Sequence, residues 1–447
     1  MDTFLIRALQ LIVSLSLLVI IHEGGHFLFA RLFKVRVEKF CLFFDPWFTL
    51  FKFKPKKSET EYAVGWLPLG GYVKISGMID ESMDTEQMKQ PMKPWEFRAK
   101  PAWQRLLIMT GGVLFNFLLA LLIYSMVIFT WGDHYINVPE ATYGMEFAPA
   151  AEELGFRDGD VLLSADGVPF LRSDKMSRQV LNAREVTVRR GEAIVSIPIP
   201  DDLIYRLEKS KAGFFSFSQP FVIDSLMANS PAMKAGLLPG DSIVALDGQA
   251  ISSPGFTFAM NARAMEAKER PQDSLNLRRV ELTYVRAGVT DTLSMSVDPD
   301  FKLGVYMRQF EQPQVDTYYG FFESFPVGIA FGVDKLVNYV SDLKYLFRDG
   351  GFKMLGGFGT IGSIFPPMWD WYSFWMMTAL LSIILAFMNI LPIPALDGGH
   401  VLFLIYEMVT RRKPSDKFME YAQITGMVLL FGLLILANFN DVKRFFF

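Results

Sequence analysis

Long apolar stretches constrain the fold of this 447-residue chain more than any other feature. A helix needs about 20 apolar residues to cross the hydrocarbon layer of a membrane. Candidate spans run over residues 4–32, 106–131, 371–391 and 424–437. Hydrophobic residues make up 51% of the chain, a share that points away from an ordinary soluble protein. We therefore predict a polytopic α-helical membrane protein with four transmembrane helices.

The third span is expected to be broken. Pro392 and Pro394 directly follow it and remove backbone hydrogen-bond donors. The next apolar stretch, at 400–409, is too short to cross a membrane alone, so it continues the third span after an interruption.

The first span has a signal peptide as its alternative. Arg7 is the one basic residue ahead of its apolar part, and no small-x-small cleavage site follows. Cleavage would also discard the histidines of this segment. We therefore expect it to be retained as a membrane helix.

Lysine and arginine near the span ends predict the orientation, because these residues stay on the cytoplasmic side. They cluster over residues 31–39 and 89–105, between the first two spans, and again over 411–417. The loop 34–103 is therefore predicted to be cytoplasmic, with both termini and residues 132–370 on the opposite face. The net charge of −3 gives no indication of a nucleic-acid partner.

An internal repeat lies between the second and third spans. "GFRDGDVLLSADG" at 155–167 and "GLLPGDSIVALDG" at 236–248 share the pattern G-x-x-x-G-D-x-x-x-x-x-D-G. A glycine can end a helix, Gly-Asp then leads into a strand, and Asp-Gly suits a tight hairpin turn. The two tandem β-rich domains, 132–212 and 213–300, resemble PDZ domains, which capture peptide C-termini at a sheet edge. Two small domains without a ligand are an equal alternative.

A helical pattern follows the repeat. Apolar residues recur at helical spacing over 327–347, with charged residues interleaved. The pattern predicts an amphipathic helix on the membrane or on the repeated domains, and equally a plain packing helix.

An H-E-x-x-H motif interrupts the first span with His22, Glu23 and His26. In a helix the two histidines, four residues apart, share one face beside the glutamate, which presents two zinc ligands and a general base. The alternative is a pair of core histidines hydrogen-bonded to neighbouring helices. Insertion scales assign a free-energy cost of about 3 kcal/mol to a charged residue at the membrane centre, so ionisable residues inside a span usually have a function. We therefore predict a zinc site within the membrane.

A catalytic zinc site commonly has three protein ligands and an open position for water. Asp397 is the best third candidate, because it follows the proline break, and broken membrane helices face protein or a wet cavity. His400 is the rival ligand, with a capping or supporting role as its alternative. Two histidines and a carboxylate suit hydrolytic zinc, so we favour Asp397 and one Zn²⁺ per chain.

These motifs resemble those of the site-2 protease family of zinc intramembrane metalloproteases, and more narrowly its bacterial regulator-of-sigma-E protease branch. The likeness rests on H-E-x-x-H, on N-x-x-P-x-P-x-x-D-G at 389–398 and on the PDZ-like pair. "PLGGYVKISG" at 68–77 is similar to the branch's small membrane-associated cytoplasmic β-element. Gly24, where the family usually has a bulky residue, and Val113, where proline is common, depart from its pattern.

The resemblance implies roles for individual residues. His22, His26 and Asp397 would hold zinc, Glu23 would be the base, and Asn389 would contact substrate, with capping of the broken helix as the alternative for Asn389. The family hydrolyses peptide bonds within the transmembrane segments of single-pass proteins. The resemblance therefore implies a bacterial inner membrane, an anti-sigma-factor-like or signal-peptide-like substrate already trimmed by another protease, and PDZ domains that act as a size filter.

A protease that cleaves inside a membrane must unwind the substrate helix and offer its backbone new partners. Residues 60–76 alternate apolar and polar side chains around a Gly-Gly turn, which predicts a sheet edge that binds an extended substrate strand. The expected contacts are Gly70, Gly71, Tyr72 and Val73.

Two other functions fit parts of the sequence. A transporter also has broken helices, but it typically shows paired interruptions in two repeated halves, and no second N-x-x-P-x-P segment occurs. An inactive scaffold would bind protein tails through the PDZ-like pair, but it would not need H-E-x-x-H.

The predictions divide the chain into consecutive segments. These are the first helix with its motif (1–33), the cytoplasmic loop with the β-element (34–103), the second helix (104–131), the two PDZ-like domains (132–212 and 213–300), an extracytoplasmic linker with the amphipathic helix (301–369), the broken third helix (370–412), and the fourth helix with the C-terminal tail (413–447).

Overall fold

The computed structural model describes residues 3–68, 70–78, 90–141, 144–210, 213–347 and 351–446. The chain divides into two compact units. Unit 1 comprises Met1–Gly132 with Tyr318–Phe447, and unit 2 comprises Asp133–Thr317. In the chain, unit 2 is therefore an insertion between two helices of unit 1.

Helices and strands are numbered in chain order. The helices are α1 (Thr3–Leu32), α2 (Ala102–Trp131), α3 (Pro149–Glu152), α4 (Ser173–Asn182), α5 (Leu203–Ser210), α6 (Pro231–Lys234), α7 (Ser253–Glu269), α8 (Ser274–Leu277), α9 (Phe321–Asp342), α10 (Gly351–Met354), α11 (Phe358–Ser363), α12 (Trp371–Ile390), α13 (Asp397–Thr410) and α14 (Asp416–Phe446). The strands are β1 (Val37–Leu42), β2 (Phe51–Phe53), β3 (Glu61–Val64), β4 (Tyr72–Ile75), β5 (Asp133–Ile136), β6 (Met145–Phe147), β7 (Val161–Ala165), β8 (Val168–Pro169), β9 (Glu185–Arg190), β10 (Ala193–Pro198), β11 (Phe215–Phe217), β12 (Phe221–Leu226), β13 (Ser242–Leu246), β14 (Gln249–Ala250), β15 (Arg279–Arg286), β16 (Val289–Ser296), β17 (Val305–Met307) and β18 (Gln314–Thr317).

Among the described residues, four helices are long and apolar enough to cross a membrane: α1, α2, α12 and α14. This confirms the prediction of four spans. Helix α14 is longer than the apolar stretch at 424–437, because the helix continues into polar ends that include Lys417 and Arg444.

Helix α2 is the centre of unit 1, since α1, α9, α12 and α13 all pack against it. Its backbone meets that of α1 at a pair of glycines: a Cβ built on Gly25 would lie 2.3 Å from the Gly111 carbonyl oxygen. Helix α9 approaches α2 in the same way, with Gly328 against Ser125 and Gly332 beside Tyr124. The helix predicted over 327–347 therefore packs on a membrane helix.

The third span is interrupted between α12 and α13, as its prolines predict. Within the interruption Ala395 has a left-handed φ of 83°, and its N–H donates to Gln423 Oε1 at 3.2 Å. Gly426 lies directly against Pro394 and leaves no room for a Cβ. Helix α14 thus supports the break from one side.

Both ends of the described chain lie beside α11. In α1, Leu11 lies next to Gly362, and in α14 the Asp441 carboxylate accepts the Thr360 N–H at 3.0 Å. The N-terminal half of α1 and the C-terminal part of α14 therefore both contact α11. The side of the membrane stays a prediction.

The sheet of unit 1 has the order β2-β3-β1-β4. Strand β1 pairs parallel to β3 and antiparallel to β4, so the two halves of residues 60–76 run in opposite directions on either side of β1 and do not pair with each other. Strand β1 takes the central place because Val37 and Cys41 are fully buried there. Strand β4 is left at an edge, as the substrate-strand hypothesis requires.

Unit 2 contains the two copies of the repeat, and each Asp-Gly pair forms a two-residue hairpin turn. Asp166 and Gly167 have φ values of 47° and 79°, and Asp247 and Gly248 have 49° and 77°. These turns join β7 to β8 and β13 to β14. Left-handed φ at both positions is what a type I′ hairpin requires.

The repeated Gly-Asp pairs also have a structural role. Asp160 and Asp241 are both 1% exposed, and each binds an arginine at the end of a later strand. Arg190 lies 2.8 Å from Asp160 and Arg286 lies 2.7 Å from Asp241. In each copy, the repeat thus marks a buried aspartate that forms an ion pair with a partly exposed arginine at the end of a later strand.

Each copy has its own core, and strand pairing extends beyond the boundaries predicted at 212 and 300. One core surrounds Phe156 and Val188, the other Phe221 and Leu282. Strand β11 pairs with β6 of the first copy, and β17 pairs with β12 of the second.

Candidate metal centre and active site

Helix α1 carries the H-E-x-x-H motif on the face that packs into unit 1. His22 and His26 are 8% and 6% exposed, although α1 faces outward over much of its length. Buried Gln10 and Ser14 precede them on the same stripe of the helix. The polar face of α1 is therefore turned into the protein.

Asp397, the first residue of α13, meets the two imidazoles. Its Oδ2 lies 3.2 Å from His22 Nε2 and 3.3 Å from His26 Nε2, and the two Nε2 atoms are 3.3 Å apart. Ligand atoms about 2.0–2.1 Å from a tetrahedral zinc ion lie about 3.3–3.4 Å from one another. The triangle therefore has the dimensions of three corners of a zinc site.

The chemistry of the donor set also fits zinc. Asp397 Oδ2 is buried and has no hydrogen-bond partner among the described residues, which is costly for a carboxylate oxygen unless an ion binds it. His26 Nδ1 lies 2.8 Å from the Ile108 carbonyl oxygen, so Nδ1 carries the proton and donates it. The lone pair of His26 Nε2 then faces the centre of the triangle.

Helix α2 leaves room for the triangle at Gly112. A Cβ there would lie 2.5 Å from His26 Nε2 and 2.6 Å from His22 Cε1. One turn further along α2, Asn116 is fully buried, and its Nδ2 lies 3.2 Å from His22 Nδ1. Gly112 and Asn116 of α2 therefore contact the two imidazoles without contributing a donor atom to the triangle.

Glu23 lies between the two histidines in the chain and beside β4. Its carboxylate interacts electrostatically with both imidazoles and with Asp397, and with the backbone of Val73. Gly71 lies against Val19 of α1, with no space for a Cβ. The edge strand thus runs along α1 next to the candidate centre.

A polar network stabilises the start of β4. The Tyr72 hydroxyl donates to Asp45 Oδ1 at 2.8 Å, and the Lys39 ammonium lies 2.5 Å from Asp45 Oδ2. Burial raises the pKa of Asp45, but hydrogen bonds from Lys39, Thr49 and Tyr72 outweigh it and hold this pKa at about 2. Phe44 stacks on the Tyr72 ring, and Gly70 lies against the same phenylalanine.

Of the two remaining candidate residues, Asn389 lies next to the histidine pair and His400 lies elsewhere. Asn389, in the last turn of α12, places its Nδ2 3.4 Å from His22 Nε2. His400 does not belong to the cluster of possible metal ligands. It lines a separate cavity with Arg105 and Glu407, whereas Asp397 lies in the cluster with the two histidines.

Sequence reasoning missed Gly112 and Asn116. Asn116 could have been predicted on the same grounds as the histidines, because it is a polar side chain inside an apolar span. Gly112 carried no such signal, since its importance depends on which face of α2 meets α1.

Similar proteins agree on the class of enzyme. A model of peptidase family M50 matches residues 10–433. The chain is 29% identical to the regulator of sigma-E protease RseP of Escherichia coli over 484 aligned positions, which cover 99% of this chain and 100% of that protein. It is 26% identical to metalloprotease MmpA of Caulobacter vibrioides, over 99% of this chain and 96% of the relative.

A third relative, from Vibrio cholerae, is 28% identical over 99% of this chain and 100% of its own length, and its name assigns it to the zinc metalloproteases. The match to the family model covers nearly the whole chain and includes all three residues of the triangle. The chain therefore belongs to peptidase family M50, the site-2 protease family, and is a metalloprotease.

Proposed function

We propose that this protein is a zinc-dependent intramembrane endopeptidase that hydrolyses peptide bonds within the transmembrane segments of single-pass membrane proteins. The observation that carries the proposal is the triangle of His22, His26 and Asp397, which joins the membrane-length helix α1 to the helix after the break in the third span, beside the edge strand β4. A soluble hydrolase would have no need to place such a site among spans.

In the proposed mechanism His22, His26 and Asp397 hold one Zn²⁺ per chain. When bound, zinc lowers the pKa of a coordinated water and polarises the carbonyl of the scissile bond. Glu23 accepts a proton from the attacking water and delivers it to the amine that leaves when the C–N bond breaks. Its place next to both histidines supports this role.

Substrate binding is proposed at the edge of β4. An unwound transmembrane segment needs partners for its N–H and C=O groups, and an edge strand supplies them by β-augmentation. Gly70, Gly71, Tyr72 and Val73 would pair with the substrate, and Asn389 would contact it near the scissile bond. The position of β4 along α1 supports this arrangement.

The repeated domains of unit 2 are proposed to be PDZ domains that act as a size filter. Their Gly-Asp and Asp-Gly turns support the resemblance, and such domains bind peptide C-termini. Substrates would be anti-sigma-factor-like or signal-peptide-like proteins that another protease has already trimmed. We place the protein in a bacterial inner membrane, with unit 2 periplasmic and the active site toward the cytoplasmic side, and the basic clusters at 31–39, 89–105 and 411–417 support this orientation.

Purified full-length protein incubated with a single-pass substrate tests the proposal. Wild type should bind zinc and cleave, whereas Glu23→Gln should bind the same amount of zinc and cleave at least about 100-fold more slowly. Glu420→Gln, at an exposed position of α14, is the matched control and should cleave like wild type. Equal cleavage by wild type and Glu23→Gln would contradict the assigned base, and absence of zinc from active wild type would contradict the metal site.

A further inference from the structure

Asn116 is a fully buried polar residue in the middle of a membrane-length helix, and the mechanism above gives it no task. Its side-chain Nδ2 lies 3.2 Å from His22 Nδ1, and its backbone carbonyl accepts a hydrogen bond from Ser382 Oγ at 2.7 Å. Its Oδ1 is buried without a hydrogen-bond partner among the described residues. A buried amide oxygen without a donor is unfavourable, so this residue needs a reason to be there.

The two histidines differ in what supports them. A histidine that binds a metal through Nε2 carries its proton on Nδ1, and that N–H needs an acceptor. His26 has one in the Ile108 carbonyl oxygen. For His22, the group within hydrogen-bonding distance of Nδ1 in the described part of the chain is the Asn116 amide, and an amide nitrogen cannot accept.

A 180° rotation of the Asn116 amide removes both difficulties. It exchanges Oδ1 and Nδ2, which have nearly the same shape, and brings Oδ1 opposite His22 Nδ1. The buried oxygen then receives a donor, and the Nδ1–H of His22 receives an acceptor.

The α2 sequence provides this support as a pattern. Ile108, Gly112 and Asn116 are four residues apart and therefore lie on one face of the helix. Ile108 accepts from His26, Gly112 leaves room below both rings, and Asn116 faces His22. One face of α2 thus contacts the whole histidine pair.

We propose that Asn116 is a positioning residue for the metal site. Its Oδ1 accepts the Nδ1–H of His22, so α2 fixes the tautomer and the ring plane of His22 as the Ile108 carbonyl fixes those of His26. The inference rests on the proposed function, because it takes His22 as a zinc ligand.

Zinc affinity tests this inference independently of catalysis. Asn116→Leu has a similar volume but no acceptor, and Asn116→Asp has the same shape with two acceptor oxygens. Loss of such a supporting hydrogen bond typically lowers metal affinity about 10- to 100-fold. We expect Leu to show that loss and Asp to bind zinc at least as tightly as wild type, measured on full-length protein in detergent by competition with a chromophoric chelator.

Ser382→Ala is the matched control, since it removes the hydrogen bond to the Asn116 backbone and leaves the side chain in place. Its zinc affinity should equal that of wild type. Thermal unfolding without zinc should be similar for wild type, Asn116→Leu and Ser382→Ala, and Asn116→Ala replaces Leu if the larger apolar side chain prevents folding.

The outcomes separate this inference from the proposed function. Zinc binding by wild type together with unchanged affinity in Asn116→Leu, or equal losses in Leu and Asp, would overturn the role of Asn116 alone. A wild type that binds no zinc would overturn the proposed function, and this inference with it.

Discussion

Substitution of Gly112 by alanine should act on the metal site while leaving the fold intact. The new Cβ would lie 2.5 Å from His26 Nε2 and 2.6 Å from His22 Cε1, where ordinary contacts begin at 3.4 Å. Each ring would have to move by about 1 Å, whereas metal–ligand distances tolerate only about 0.2 Å. The two donors would therefore leave their positions in the triangle.

The size of the effect follows from two opposing contributions. Alanine favours a helix over glycine by about 1 kcal/mol, which stabilises α2 whether or not zinc is bound. Overpacking costs about 1–3 kcal/mol, and it falls mainly on the zinc-bound state, because the rings can rotate away when no ion holds them. Since 1.4 kcal/mol corresponds to a factor of ten, zinc affinity should fall about 10- to 100-fold.

Two glycines of the H-E-x-x-H motif provide controls. A Cβ at Gly24 meets nothing within 4 Å, so Gly24→Ala should keep zinc affinity and gain up to about 1 kcal/mol of stability. A Cβ at Gly25 would lie 2.3 Å from the Gly111 carbonyl oxygen. Gly25→Ala should therefore separate α1 from α2 and lower the unfolding temperature with and without zinc.

Chelator competition and thermal unfolding of the three variants, each with and without zinc, measure these effects. The reasoning is refuted if Gly112→Ala binds zinc within about threefold of wild type, a change well below the expected factor of ten. It is equally refuted if Gly24→Ala loses zinc as Gly112→Ala does, since a Cβ at Gly24 would meet nothing within 4 Å.

Three further predictions concern the sheet and unit 2. Val73→Pro should slow cleavage and keep zinc, because proline removes the Val73 N–H, which faces Glu23 at the edge of β4, from both Glu23 and a substrate strand. Unchanged cleavage would count against β-augmentation. The folded protein lowers the pKa of Asp45 from 3.8 to about 2, so the ionised carboxylate stabilises the fold. This contribution to the free energy of unfolding should be constant from pH 7 to 5 and decline as the pH falls from 3.8 through 2. Unfolding of Asp45→Asn, measured over the same pH range, should lack this decline. Asp133 and Thr317 are paired neighbours in adjacent strands, so a short linker can replace all of unit 2. This replacement should loosen substrate selectivity and leave the zinc content unchanged. Selectivity as strict as that of wild type would contradict the size filter.

Much of the site was accessible from the sequence because its signals are local. His22 and His26 are one helical turn apart, and charged or polar groups in an apolar span are conspicuous on energetic grounds. Asp397 was found through the prolines that break the third span, which is also a local signal. The Asp-Gly turns of unit 2 followed from backbone preferences of two adjacent residues.

What sequence reasoning missed depends on contacts between distant segments. The parallel pairing of β1 with β3 joins strands whose side-chain patterns show no partner, so the sequence did not indicate that β1 lies between β3 and β4. The importance of Gly112 depends on the rotation of α2 about its axis relative to α1. Likewise, the Ile108 carbonyl is a backbone group, and no residue type signals that it will accept a hydrogen bond from His26.

The two parts of the triangle are held in physically different ways. Both histidines belong to α1, whose backbone is in close contact with that of α2 at Gly25 and Gly111. This contact leaves α1 little freedom to move relative to α2. Asp397 begins a separate helix after a break, and α13 is tied to α2 through the Arg105–Glu407 ion pair. Binding of an ion by all three residues would join these parts, so part of the binding free energy would stabilise α13 against α2. The proline break therefore brings the carboxylate of a second helix opposite the histidine pair of α1.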